Sequence, residues 1–388
     1  MLNEPNMPEL VYDAEDEYIP EPVAPPSAPS WQDGNFRVGI HTSIAGDIVH
    51  SLEIAKKLGC NAMQIFSTSP RMWPRPGRTL IPEADAARFR ARREELGIGP
   101  VAIHANYLIN LATNDAVARV RTIQTFRDEI VRGISLGADF LIVHPGSARE
   151  QAMPEATVHV GNALRQAAKG LKLASEENPT GMRILIENTA GMGSAIGSKL
   201  EELAAILRGS GEIDVGVCLD TAHLFAAGYP IHTAEGLEQT IAQVENTIGL
   251  DRVYVIHVND SKTPFGSRVD RHEHVGKGKI GAGALARFLR HPMLAPAQLA
   301  GRAFLLETPI DEPGDDRRNV AALWKLVGAS FEQEPDAEDG FSMVRRSKKK
   351  PNTAKKAKRA RKVKASNKKN RSRSKTASRT KKHSRKRR

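Results

Sequence analysis

The sequence predicts an α/β protein built as a closed (β/α)8 barrel of the TIM type, and three observations predict it. Eight short strand-like runs alternate with helical patterns at a mean spacing of about 38 residues. Seven runs end on a side chain that can ligate metal: FRVGI–His41, VAI–His104, FLIV–His144, ILI–Glu187, VGVCL–Asp220, VYVI–His257 and FLL–Glu307. Charge at the end of a buried strand is costly unless something pairs it. In a barrel all eight strands deliver their C-terminal ends to one mouth, so one positive centre can serve all seven. A doubly wound open sheet usually has fewer strands and gathers its ligands at one crevice.

The strand-like runs fall at 36–41, 61–66, 101–104, 139–144, 183–187, 214–220, 252–258 and 303–307. After the first, Asp47 caps DIVHSLEIAKKLG, whose apolar stripe closes on Gly59. ADAARFRARREELG and AVARVRTIQTFRDEIVRGISLG follow the second and third and close on Gly97 and Gly137. TVHVGNALRQAAKGLKLA (157–174), KLEELAAILRGSG (199–211) and AEGLEQTIAQVENTIG (234–249) follow the next three. The seventh strand leads into a long polar stretch, 259–281, and then a short helix near 283–290. NVAALWKLVGA closes the series.

Charge divides the chain. The net of +12 over 388 residues hides a tail, 345–388, with 24 Lys and Arg and no Asp or Glu. Residues 1–344 hold 33 basic against 45 acidic residues. Residues 1–34 are rich in Pro and hold eight acids without a Lys or Arg, a composition that cannot bury a core. The expected organisation is a disordered acidic arm (1–34), a barrel domain (35–330), a linker (331–344) and a disordered Lys/Arg-rich tail (345–388). The tail is expected to bind phosphate backbones by counterion release, or to act as an address signal. Two cysteines, Cys60 and Cys218, sit in apolar patterns and read as reduced core thiols. No run approaches the ~18–20 apolar residues of a membrane span. An intracellular protein is expected, in bacterial cytoplasm or nucleoid, or in the nucleus of a eukaryote. No P-loop or GxGxxG stands at a strand–helix joint.

The strand ends carry the chemistry. His104, His144, Glu187, Asp220, His257 and Glu307 are ligand types suited to zinc or manganese. Asp220-Thr-Ala-His223 adds an imidazole three residues beyond a carboxylate, where the strand turns into its loop. Asp270-Arg-His272 puts two ligand types on one side of an extended segment. Nine ligands suit three ions of about four ligands each, with positions open for water and substrate. His41 reads as a partner that orients a ligand, or as a lining of the mouth. His50 and His274 read as surface residues.

The words are also specific. HANYLINL (104–111), HPGS (144–147), IENTAGMGSAIG (186–197), VGVCLDTAHLFAAGY (215–229) and HVNDSKTPFGSRVDRHEHVGKGKIG (257–281) closely resemble the endonuclease IV family of apurinic/apyrimidinic endonucleases. The resemblance covers about 36–328. It implies a TIM barrel with a trinuclear zinc centre, with manganese as a substitute. His104, His144 and Glu187 would hold the first ion. Glu187, the catalytic residue, would bridge to a second held by Asp220, His257 and Glu307. His223, Asp270 and His272 would hold the third. The implied reaction is hydrolysis 5′ to an abasic site in duplex DNA, leaving a 3′-hydroxyl and a 5′-deoxyribose phosphate, with removal of related 3′-blocking groups. Hydroxide available at neutral pH would be the nucleophile.

Tyr107 and Leu108 match the family's intercalating loop and Arg71 a DNA-contacting residue. Met72 departs from the polar Gln common in that loop. Lys262, Arg268 and above all Arg271, between two ligands, are placed to meet phosphates. A monomer is expected. The rivals are a sugar isomerase or epimerase on a related barrel, and a histone-like DNA-binding protein. The first usually needs a simpler metal set, and the second would leave nine ligands without a purpose.

Overall fold

The computed structural model describes residues 36–73, 80–175, 177–294 and 302–328. The acidic arm, the linker and the basic tail expected from the sequence lie outside the described residues.

Eight parallel strands form the barrel: β1 (Arg37–Ile40), β2 (Met63–Phe66), β3 (Val101–His104), β4 (Phe140–Val143), β5 (Arg183–Glu187), β6 (Val215–Asp220), β7 (Val253–His257) and, after a small hairpin, β10 (Ala303–Leu306). Their order is β1-β10-β7-β6-β5-β4-β3-β2. The seam between β1 and β2 is closed by a parallel bridge, His41 to Gln64, with Thr42 N–H donating to the Gln64 carbonyl at 2.8 Å. The hairpin strands β8 (Asp260–Ser261) and β9 (His272–Glu273) pair antiparallel inside the long polar stretch.

Alternation along each strand sorts the side chains into two sets. One set faces the helices. It includes Val38, Met63, Ile65, Val101, Ile103, Leu141, Ile184, Ile186, Val217 and Leu219. The helices are α1 (Ile48–Lys57), α2 (Glu83–Leu96), α3 (Ala116–Leu136), α4 (Met153–Ala168), α5 (Leu200–Gly209), α6 (Thr221–Ala227), α7 (Ala234–Thr247), α8 (Ala282–Leu289) and α9 (Asp315–Val327). Phe89, Phe126 and Phe288 from these helices are essentially fully buried. Each such side chain stabilises the fold by roughly 1.5–3 kcal/mol.

The other set fills the barrel: Ala62, Ala102, Ile142, Leu185, Cys218, Val255 and Leu305 form one buried apolar layer. Two residues further along each strand stand Gln64, His104, His144, Glu187, Asp220, His257 and Glu307. Gly39 completes the lower layer at β1. A Cβ there would collide with the Ala62 carbonyl oxygen and stand 2.7 Å from the Leu305 side chain, so only glycine fits. The polar layer thus rests on an apolar floor with the same register.

The elements agree with the sequence pattern in most places, but α9 begins at Asp315, four residues before Asn319, the β8–β9 hairpin interrupts the polar stretch, and α4 and the DTAH segment also differ. α4 begins at Met153, earlier than expected, because Pro154 in its first turn needs no amide partner. It also stops at Ala168, where Gly170 turns the chain at φ +75°. DTAH opens a short helix, α6, instead of a loop. The caps behave as the sequence implies: Asp47 accepts from Val49 N–H at 3.0 Å, and Gly97 and Gly137 end their helices in the left-handed conformation.

Candidate metal centre

Glu187 stands at the middle of the polar layer, fully buried. Its Oε2 lies 3.1 Å from His104 Nε2 and 3.6 Å from His144 Nε2. Its Oε1 lies 3.0 Å from His257 Nδ1 and 3.4 Å from His223 Nδ1. One carboxylate therefore spans two halves of the cluster, one oxygen to each. Glu307 Oε2 approaches His257 Nδ1 at 3.5 Å.

The second carboxylate owes its place to a helix start. Asp220 is the N-cap of α6, and its Oδ1 accepts the His223 N–H at 2.8 Å. An N-cap and the third helical residue always stand three apart, so capping geometry produces the DxxH spacing. Asp220 Oδ2 accepts from Asn259 Nδ2 at 2.6 Å and lies 3.7 Å from His272 Nε2. Asp270 Oδ1 lies 3.3 Å from both His223 Nε2 and His272 Nε2. All nine residues singled out in the sequence meet here.

Ligand atoms within 4.8 Å of one another define four groups able to hold an ion: His104, His144 and Glu187; Glu187, Asp220, His257 and Glu307; Asp220, His223 and His272; and Glu187, Cys218 and His257. The imidazole protons fit that use. His104 Nδ1 donates to the Ala105 carbonyl at 2.9 Å, His223 Nδ1 to that of Asn188 at 2.9 Å, and His272 Nδ1 to that of Glu307 at 3.2 Å. In the neutral imidazole each such bond leaves Nε2 without a proton and facing the cluster. The buried Nε2 atoms of His223 and His272 have no hydrogen-bond partner among the described residues. Orphaned acceptors amid carboxylates suit a cation.

Without a cation the cluster pairs with itself. Burial pushes the Glu187 carboxyl up, but His144, His257, His104 and His223 together hold it well below the usual range. Glu307 is likewise raised by burial and brought down to about 2, chiefly by His257 and His104. Burial lowers the His104 imidazole, yet its bond to Glu187 and the charge of Glu307 lift it to about 9. His272 reaches about 9 against its burial through Asp220 and Asp270. Burial wins at His144, which is lowered, and at His41, which falls to about 4.

Several residues of the site were not legible as functional. Gln64 contacts His41, Glu307 and His257. Asn259 holds Asp220 and accepts from Glu307 N–H at 2.9 Å. Asp260 ties down the polar stretch by accepting from Gly278 and Ile280 N–H, both at 2.9 Å. His274 departs from its surface reading: it is partly buried, 3.0 Å from Asn319 Nδ2 and 3.6 Å from Asp311. A neutral amide carries no ligand signature, so only its neighbours reveal its part.

The rim is built from two loops tied together. Asn106 Nδ2 donates to the carbonyls of Ser69 and Met72, both at 3.0 Å, and Tyr107 N–H donates to that of Pro70 at 3.1 Å. Arg71, Met72, Tyr107 and Leu108 are thereby brought together. Met72 is 62% exposed and Tyr107 55%. The Tyr107 ring stands 5.3 Å from Phe66 and 5.9 Å from His104. Arg271, exposed between Asp270 and His272, donates to the Asp270 carbonyl at 2.7 Å.

Known proteins share this arrangement of sequence and fold. A family model described as a xylose isomerase-like TIM barrel matches residues 52–333. A probable endonuclease 4 from Solibacter usitatus is 44% identical over 300 residues, 76% of this chain and 98% of that protein. Another from Methanoculleus marisnigri is 37% identical over 293 residues, 75% of this chain and 99% of its own. The crystal structure of endonuclease IV from Thermus thermophilus superposes with a TM-score of 0.64 at 36% identity, covering 75% of this chain and 99% of that one. A D-tagatose 3-epimerase-like protein superposes at 0.55 but is only 18% identical and shares the fold alone. With near-complete coverage of those relatives and identity well above that of the epimerase-like barrel, this chain belongs to the endonuclease IV family.

Proposed function

We propose that this enzyme is a DNA-repair nuclease that hydrolyses the phosphodiester 5′ to an abasic site, leaving a 3′-hydroxyl and a 5′-deoxyribose phosphate, with three zinc ions as cofactor. One observation carries the reading. Six strand ends, the start of α6 and the β8–β9 segment bring nine ligand-type side chains together, eight of them in groups spaced to hold an ion and Asp270 beside His223 and His272, and the buried Nε2 atoms of those two imidazoles have no hydrogen-bond partner among the described residues. In this reading His104, His144 and Glu187 hold one ion. Glu187 is shared with a second, held by Asp220, His257 and Glu307, and His223, Asp270 and His272 hold the third.

Zinc, when bound, brings the pKa of a water near 7 and offsets the charge of the phosphoryl oxygens. The chain supplies the rest. Glu187, with one oxygen toward each half of the cluster, sets their separation and is the catalytic carboxylate of the proposal. Tyr107 and Leu108 fill the gap left in a base stack when the damaged nucleotide turns outward. Arg71 and Arg271 meet phosphates, and Met72 serves as an apolar wedge. The basic tail adds sequence-independent phosphate contacts to a folded body at 35–330. Manganese is a workable substitute, blocked 3′-ends are a second substrate class, and one chain suffices.

The test is metal analysis after exhaustive dialysis, alongside cleavage of a duplex carrying a single abasic site. About three equivalents and incision 5′ to the lesion are expected. One equivalent or fewer with full activity removes the three-ion centre. An uncut duplex removes the substrate.

A further inference from the structure

Gln64 stands in the ligand layer but carries no charge. It is fully buried on β2, beside the seam where the barrel closes. Its amide nitrogen donates to Glu307 Oε1 at 2.5 Å and to His41 Nδ1 at 3.0 Å. Its amide oxygen accepts from His257 Nε2 at 2.8 Å. An amide has two N–H donors and an oxygen that only accepts, so these bonds use both donors and one of the two lone pairs of the oxygen. Turned over, it would set its carbonyl oxygen against a carboxylate oxygen with no proton between them.

The orientation has a chemical consequence. His257 must carry a proton on Nε2, so that in the neutral imidazole Nδ1 is the bare nitrogen. Nδ1 is the atom that faces Glu187 Oε1 at 3.0 Å, Glu307 Oε2 at 3.5 Å and Asp220 Oδ2 at 3.9 Å. His104, His223 and His272 use the opposite tautomer, each set by a backbone carbonyl. His257 has its outer nitrogen on a side chain instead. The same amide holds Oε1 of Glu307 away from the cluster, so that Oε2 is the oxygen facing His257.

We infer that Gln64 is a positioning residue of the centre, which selects the tautomer of His257 and aims the carboxylate of Glu307. The inference rests on the three-ion reading above. It implies that one ion, the one assigned to Asp220, His257 and Glu307 with the shared Glu187, depends on an uncharged residue of a strand that supplies no ligand.

Gln64→Met keeps nearly the length of the side chain and removes both donor and acceptor. Zinc affinity is read by competition with a chelator in the full-length protein. The variant is expected to lose about 10–100-fold in affinity for one ion and to keep the other two, as for loss of a group that orients a ligand. Wild-type affinity for all three would overturn the inference. If Gln64→Met does not fold, the wild-type protein decides by long-range proton–nitrogen NMR of its imidazoles. A proton on His257 Nε2 supports the assignment, whether or not Nδ1 also carries one toward Glu187, and an Nε2 without a proton overturns it. That measurement is made on metal-free protein as well, so it judges Gln64 even if wild type binds one zinc or fewer and the three-ion reading fails.

Discussion

Glu187 and Tyr107 belong to the same mouth, yet one is fully buried and the other 55% exposed. Glu187 ends a strand whose neighbours are paired on both sides, and four imidazoles stand within 3.6 Å of its oxygens. Tyr107 sits on a loop held to the next loop by three hydrogen bonds, from Asn106 and its own amide. The difference teaches what each region can do. Ligand atoms must stay within a few tenths of an ångström, which strand ends on a packed floor provide. A surface that is to meet a partner of variable shape must yield, which loops provide.

Glu187→Gln should separate the two regions most sharply. It removes the charge shared by both halves of the cluster and leaves the rim intact. Turnover on an abasic duplex should fall by at least ~10³, or ~4 kcal/mol, with circular dichroism unchanged. A folded variant with more than a tenth of wild-type turnover would return Glu187 to a purely structural part.

Acid–base behaviour probes the buried region alone. In the metal-free cluster His104 and His272 are lifted to about 9 from an ordinary 6.5. Their contribution to stability is full below pH 6.5 and disappears as pH rises to about 9. Glu307, at about 2 against an ordinary 4.5, contributes above pH 4.5 and loses that contribution as pH falls toward 2. Metal binding has the opposite slope, because imidazoles must be neutral to ligate. Chelator-treated protein should therefore lose stability between pH 6.5 and about 9 while the zinc-dependent increment grows. Urea midpoints of the two forms across that range check this, and a flat chelated curve would contradict the pairing described here.

Tyr107→Ala tests the rim. Binding to a damaged duplex should weaken by roughly 1–3 kcal/mol, the worth of one base–aromatic stack, with metal content unchanged. Equal binding by both proteins would make Tyr107 a packing residue for Phe66. Removal of 345–388 should matter least to the chemistry. Saturated turnover and metal content should hold, while the dependence of log affinity on log salt flattens for undamaged duplex. Parallel slopes would leave the tail as an address signal.

Much of the centre was legible because His, Asp and Glu at the ends of apolar runs are rare without a reason. Each strand lies within two residues of its expected bounds, since alternation between helix-facing and barrel-facing positions writes itself into the sequence. The sequence by itself determined the barrel, the nine ligand-type residues and the layer to which most of them belong. It did not reveal α6, because the seven residues Thr221–Ala227 make two turns at most, too short a run to show a helical period. The tertiary structure alone decided the parts of Gln64, Asn259 and Asn188. Neutral amides and backbone carbonyls have no chemistry of their own to announce. They become functional only when closure of the barrel brings β2 beside β1 and β10 beside β7. Each then meets, at hydrogen-bond distance, an imidazole or carboxylate distant in the sequence.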